Sequence, residues 1–171
     1  MGRPLGLGAA FVTADQIAGG SGASRYLDGV DVIETDATNG MNLPAEALEL
    51  ESPIRLRQVA LRAGSGGAGE HRGGLGTVRE FEVLTDGISM SYRGERHFSR
   101  PRGLFGGEDG QAARAVVIRA DGVEETIPSK LVTTLNRGDR LLVETAGGAG
   151  YNPPGSRASA ALANDVADGK I

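Results

Sequence analysis

Apolar and polar positions alternate most strongly between residues 54 and 84. In the first segment Ile54, Leu56, Gln58 and Ala60 fall on one face, while Arg55, Arg57, Val59 and Leu61 fall on the other. This is the period-two pattern of a half-buried strand. In the second segment Thr77, Arg79, Phe81 and Val83 oppose Val78, Glu80, Glu82 and Leu84. Asp86-Gly87 then predicts a hairpin into ISMSYRGER. ARAVVIRA and VEETIP, split by Asp121-Gly122, predict a second hairpin. KLVTTL, a sharp turn over residues 136–139 and RLLVET complete the set. Strands and helices do not alternate, which argues against a doubly wound sheet. The pattern predicts a mainly β protein: a β-sandwich or open barrel of short antiparallel strands, with long Gly-rich loops and short flanking helices.

The flanks read differently. Residues 1–29 are loop-like, although LGAAFVTADQIAGG suits a brief helix or strand ending at Gly19-Gly20. Val30 to Thr35 alternates as a strand, and Asn39-Gly40 is a strong turn dipeptide. Pro44 opens PAEALELES at a first helical position, with Glu46 early, where the helix dipole favours an acid. Pro53 closes that helix. RASAALANDVADG predicts a C-terminal helix, with Ser156 as its cap and Gly169 as its stop. The organisation expected is one domain over 1–171. It has a loop-rich lead-in (1–50), a β core (53–151) and a C-terminal helix (156–169).

Composition narrows the function. A length of 171 residues allows one domain with a real core. A net charge of −4 and a pI near 5.2 argue against a nucleic-acid binder. The densest basic stretch, Arg93 to Arg102, is interrupted by Glu95. No apolar run approaches the roughly 18 residues of a membrane span. The first twenty residues carry one Arg and a short apolar patch, but Asp15 and the glycines do not suit a signal peptide. With no cysteine, disulfides and thiolate zinc sites are excluded, and a reducing cytoplasm is the expected compartment.

Candidate chemistry centres on Arg62 to Gly76, where seven of fifteen residues are glycine. Each glycine costs about 1 kcal/mol in chain entropy relative to alanine, so the backbone there must turn tightly or be closely approached. One reading is an anion-binding nest of amides. The other is an inter-strand connection packed against another protein layer. No Gly-Lys-Ser or Gly-Lys-Thr is present, and a strand rather than a helix follows, so neither a Walker loop nor a dinucleotide fold is indicated. Arg72 is the residue here best suited to an anion, and it could equally brace the loop through carbonyls. His71 and His97 lie in separate loops with no metal-ligand spacing. Ser65 lies in GSGGAG, not in a nucleophile elbow. Glu46 and Glu49 could present paired carboxylates on one helix face, or be solvated. Arg93, Arg96, Arg100 and Arg102 surround Pro101 and GLFGG, a loop that could meet an anionic ligand or an acidic partner.

Several separated strings carry a family resemblance. GGAGEHRGGLGTVREFEVL resembles the signature of the hydantoinase B/5-oxoprolinase family, as does GERHFSRPRGLFGGEDGQ, followed by a short β segment, GDRLLVET and GGAGYNPP. Upstream, DGVDVIETDATNG and TNGMNLPAEALELESPI occur in the expected order. The resemblance runs over essentially the whole chain. It implies the C-terminal part of a B-type subunit of ATP-dependent enzymes that open cyclic amides such as hydantoins, 5-oxoproline and lactams. Related members belong to acetone and acetophenone carboxylases. An A-type ATP-binding subunit would phosphorylate the substrate carbonyl, making its oxygen a good leaving group, and the B-type subunit would complete hydrolysis or carbon–carbon bond formation.

The resemblance implies partners: the A-type subunit and the N-terminal half of the B-type subunit, which carries the family's metal-binding segments and has no counterpart here. ATP and a divalent metal are expected in the complete complex, with neither held by this chain. Gly64 replaces the family's usual Asp before Ser-Gly-Gly, and the chain stops at DGKI where the family continues into a further helix. The chain is therefore expected to be a C-terminal fragment or split small subunit, inactive alone. The glycine loop is expected to hold Arg72 beside something outside this chain. Glu46, Arg72 and Arg96 are the candidate contact residues. The alternatives are a ketone carboxylase subunit and a non-catalytic docking module.

Overall fold

Seven strands assemble into two antiparallel sheets in the computed structural model, which describes residues 11–34, 40 and 43–171. They are β1 (Ile54–Leu61), β2 (Thr77–Val83), β3 (Ile88–Arg93), β4 (Arg114–Ile118), β5 (Glu124–Thr126), β6 (Lys130–Leu135) and β7 (Arg140–Glu144). One sheet has the order β1-β2-β7-β4-β5, and the other pairs β3 with β6. Helix α1 (Ala45–Glu51) precedes the strands and α2 (Ser159–Ala167) follows them. The architecture is mainly β, and the described residues form no closed barrel.

Both sheets contribute to one core. Val83, Ala115, Val117 and Val143 come from the larger sheet and Leu135 from the smaller, with Ile88, Met90, Tyr92 and Leu131 packed against them. β4 lies between β7 and β5, and Ala115 to Ile118 are buried on both its faces. Its unbroken apolar run therefore replaces the alternation seen in β2.

Two local predictions give way to this layering. Asp86-Gly87 does not close a hairpin. β2 is already flanked by β1 and β7, so the chain crosses to the opposite sheet, where Ile88, Met90 and Tyr92 meet the core. The turn locks against the corresponding corner after β6: Arg137 N donates to Asp86 Oδ1 at 2.9 Å, and Gly87 N to Asn136 Oδ1 at 3.2 Å. The Asp121-Gly122 turn does join a pair, β4 with β5. In β1, the alternation breaks at a register shift between Leu56 and Gln58. Beyond it Val59 and Leu61 oppose Arg79 and Thr77, so the single-face assignment of Gln58 and Ala60 with Ile54 does not hold.

The flanks also differ in detail. Ile33 makes one bridge with Gly19 rather than belonging to a strand over Val30–Thr35; Thr35 and Asn39 lie outside the described residues. Pro44 is the cap of α1 rather than its first residue. Ser156 does not cap α2: it ends a short 3-10 turn, Pro154–Ser156, and Ala158 precedes the helix. Gly169 does stop it, at φ 66° just past the C-cap Asp168.

Candidate functional site: a glycine layer, a buried charge cluster and an open cleft

The glycine-rich loop is covered by the chain's own backbone. Residues 19–22, 64–76, 103–110 and 145–151 pack main chain on main chain. A Cβ on Gly148 would lie 1.7 Å from the Ser21 carbonyl oxygen, and one on Gly20 would lie 1.9 Å from that of Gly74. The segments also bond laterally: Gly67 N donates to Gly148 O at 2.9 Å, Gly148 N to Gly74 O at 2.8 Å and Gly74 N to Ser21 O at 2.8 Å. Those amides face carbonyls, so they make no phosphate nest. The expectation that the loop abuts something outside the chain is corrected by the same contacts: the covering layers are segments of this chain. Ser65 braces the loop, donating to Arg62 O at 2.6 Å and accepting from Gly76 N at 2.9 Å.

Arg72 points into a buried charge cluster. Its Nη1 donates to Asp31 Oδ1 at 3.2 Å and Gly73 O at 2.5 Å, and its Nε to Asp165 Oδ1 at 3.4 Å. Arg157 joins the cluster through both Asp28 oxygens, each at 2.8 Å, and through Asp165 Oδ2 at 2.7 Å. Burial alone would raise the Asp28 carboxyl; hydrogen bonds from Arg157 and the Arg72 amide, with both guanidinium charges, outweigh it and hold the group below its ordinary 3.8. The Arg157 guanidinium is correspondingly pushed up, mainly by its bond to Asp28. This fork-on-carboxylate cluster ties the lead-in (Asp28, Asp31) and α2 (Asp165) to the glycine loop.

A second buried pair, Arg79 with Asp15, fixes the lead-in over β2. The strand alternation carried a signal for it, since Arg79 shares the face of Thr77, Phe81 and Val83. No sequence signal marked Arg157, Asp28 or Asp165 as one cluster.

Between the sheets lies an open cleft of about 1040 Å³. Phe11, Val12, Ile17, Leu48, Ile54, Phe81, β3 and Leu141 line it, and Glu95, Arg96 and Pro101 stand along it. Next to them Tyr92 Oη lies 2.8 Å from His97 Nε2. Burial raises the Tyr92 hydroxyl, and burial lowers the His97 imidazole against the opposing pull of Glu95. The pair places a phenol hydroxyl within hydrogen-bond distance of an imidazole nitrogen. Arg96 is exposed and has φ 62°, a strained conformation for a residue with a Cβ. Its carbonyl accepts from Ala113 N at 3.0 Å.

The three candidate residues do not converge. Arg72 is engaged in the buried cluster, and Arg96 lines the cleft. Glu46 is exposed on α1, while Glu49 accepts from Leu56 N at 2.9 Å and so does not pair with it toward a ligand. His71 lies 3.7 Å from Asp28, apart from the His97–Tyr92 pair. Among the described residues, no three His, Asp or Glu side chains group to hold a metal.

Comparison with known proteins places these features in a larger frame. Residues 2–154 match the family model described as hydantoinase B/oxoprolinase. The putative B-type D-/L-hydantoinase subunit of Pseudomonas sp. (strain NS671) is 32% identical over 164 residues, covering 94% of this chain and 27% of that subunit. Among solved structures, the ATP-dependent caprolactamase from Pseudomonas jessenii aligns with TM-score 0.78 at 29% identity, over 91% of this chain and 28% of that one. Nucleotide-free acetone carboxylase shares the fold, with TM-score 0.76 at 22% identity, over 91% of this chain and 25% of that one. The chain spans only 11% of large eukaryotic relatives such as the 5-oxoprolinase of Dictyostelium discoideum, to which it is 33% identical over 137 residues, 80% of this chain.

Proposed function

Since the chain belongs to the hydantoinase B/oxoprolinase family, we propose that it is a component of an ATP-dependent cyclic-amide hydrolase, working with an A-type ATP-binding subunit and the rest of a B-type subunit in the cytoplasm. One observation carries this reading: the match is nearly full-length on this chain but covers only 27–28% of the Pseudomonas hydantoinase subunit and the caprolactamase. The described residues fit the role of a component. They hold a braced scaffold and one open cleft, but no convergent acid, base and nucleophile. They do not suit ATP or a divalent metal either, because metal-type side chains are not grouped and the glycine amides cited above face carbonyls. No step through either group is assigned to this chain.

Arg96 is the residue proposed to meet an anionic substrate or a phosphorylated intermediate, being exposed, strained and beside the Tyr92–His97 pair. Hydrolysis is favoured over ketone carboxylation because the caprolactamase likeness is 29% identical, whereas at 22% the carboxylase likeness speaks for the fold alone.

The test is reconstitution with the A-type subunit and the remainder of the B-type subunit, measuring ADP release with ring opening of 5-oxoproline, hydantoin or caprolactam. Turnover is expected only in the complex, with Arg96→Ala lowering it while assembly persists. ATP-dependent lactam hydrolysis by the isolated chain would overturn the proposal. Bicarbonate-dependent ketone consumption would select the carboxylase reading, and loss of assembly in Arg96→Ala would make the arginine loop a docking element.

A further inference from the structure

The two sheets are unequal: five strands face two. A two-stranded sheet is marginal by itself, and a sandwich core forms where two sheets cover one another. Among the described residues the open cleft is where the two sheets lack strand cover, the lead-in lining part of it through Phe11, Val12, Thr13 and Ile17. Every residue from Gly87 to Arg96 lines it, whereas β6 contributes only Leu135, so the cleft runs along the side of β3 turned away from β6. The opposite wall is the inner face of the larger sheet, with Ile54, Phe81, Val83, Leu141 and Val143. At about 1040 Å³, with Ile54, Phe81, Met90 and Leu141 in its walls, the groove has room and apolar surface for a further extended segment.

The β3 edge is built to receive a strand. Among the described residues β3 has no strand neighbour other than β6. Gly94 N donates to Ser129 O at 2.7 Å, and continuing that antiparallel ladder turns the backbone groups of Ser89, Ser91 and Arg93 outward, toward the cleft. Exposed edges are usually blunted by charge, proline or a bulge; here Ser89 and Ser91 are small, and Arg93 stands at the end. An incoming strand would place every second side chain between the sheets, on Ile54, Phe81 and Met90.

We propose that β3 accepts an extended segment from the part of a hydantoinase B-type polypeptide lying outside the match to this chain, making the smaller sheet three-stranded and filling the cleft. The source of the strand rests on the functional reading above; the strand site itself does not. The relatives supply ample chain for it, since the match covers 27% of the Pseudomonas hydantoinase subunit and 28% of the caprolactamase. Main-chain bonds would give affinity and the alternate side chains selectivity.

The test uses the full 171-residue chain and overlapping peptides of about 12 residues, twice a usual strand length, covering the part of the Pseudomonas sp. (strain NS671) hydantoinase subunit outside the match. In the chain alone, amide hydrogens of Ser89, Ser91 and Arg93 should exchange fast, and a binding peptide should slow all three. Ser91→Pro removes an outward donor without touching the β6 ladder, so it should leave the fold intact and weaken binding about tenfold or more. Val132→Pro, at the matching outward position of β6, should bind as the unmodified chain does. Slow exchange of the three amides in the isolated chain, failure of every peptide, or unchanged binding by Ser91→Pro would each overturn the proposal. These readouts do not involve turnover. A complex that assembles through β3 yet lacks ATP-dependent hydrolysis would refute the functional reading and leave the strand site standing.

Discussion

Arg157 illustrates how much of this protein rests on single buried side chains. It forks onto both oxygens of Asp28 and reaches Asp165, which is 5% exposed. Arg157→Ala would leave Asp165 with only the longer Arg72 contact, and removing one partner of a buried pair typically costs about 3–5 kcal/mol. Urea denaturation should show a loss of that size, with Arg157→Lys recovering only part because an ammonium cannot fork. Asp139 gives the acid-side counterpart. Burial would raise its carboxyl, but the amides of Asn136 and Ala120 and the Arg119 guanidinium hold it below the ordinary 3.8. A depressed carboxylate contributes stability that is present above its unfolded value and lost as pH falls through the folded one. Asp139→Asn should therefore lower stability at neutral pH and flatten the stability–pH curve below about pH 4, as measured by thermal unfolding across pH.

At the level of elements, the glycine segments work as thin strands, close-packed because they lack side chains. A methyl on Gly148 would collide with the Ser21 carbonyl, backbone against backbone, so neither side can rotate away. Gly148→Ala should cost more than the roughly 1–3 kcal/mol of an ordinary overpacked site, or prevent soluble folding. Gly155→Ala meets nothing within 4 Å and should leave the melting temperature nearly unchanged. The two corners joining the sheets are the other device. The turn after β2 and the turn after β6 bond to one another, and Asp139 ties the second corner to the β4–β5 hairpin through Ala120 N at 3.0 Å. Strand identity was readable from alternation in β1 and β2. Strand pairing was not, because Asp86-Gly87 has the local chemistry of a hairpin and only competition for the flanks of β2 sends the chain to the other sheet.

The described residues form a sandwich with one side open. Phe81, Met90 and Ile54 are only partly buried, and Phe98 and Phe105 are 85% and 71% exposed. The isolated chain should therefore bind a hydrophobic fluorescent dye, and in the proposed complex the signal should fall as partner polypeptide is titrated in. An unchanged signal on adding the proposed partner would mean that it leaves the cleft open. This surface also explains why the candidate residues do not gather into a complete site: Arg96 stands at the cleft, Glu46 lies on the exposed face of α1, and Arg72 is committed to the interior.

By itself the sequence determined the mainly β class, most strand positions, the β4–β5 hairpin, the Gly169 stop and the family to which the chain belongs. All of these depend on short-range pattern: two-residue alternation, turn dipeptides and strings of adjacent residues. Tertiary structure alone decided what the glycine loop is for. The same seven glycines permit a phosphate nest or a packed layer, and the choice depends on carbonyls from Ser21 and Gly148 brought in from distant parts of the chain. It also decided that Arg72 faces carboxylates supplied by Asp31 and Asp165, and that among the described residues β3 pairs only with β6 and lines a cleft. Such partners are set by long-range packing, where burying apolar faces against each other outweighs the preference of any single turn.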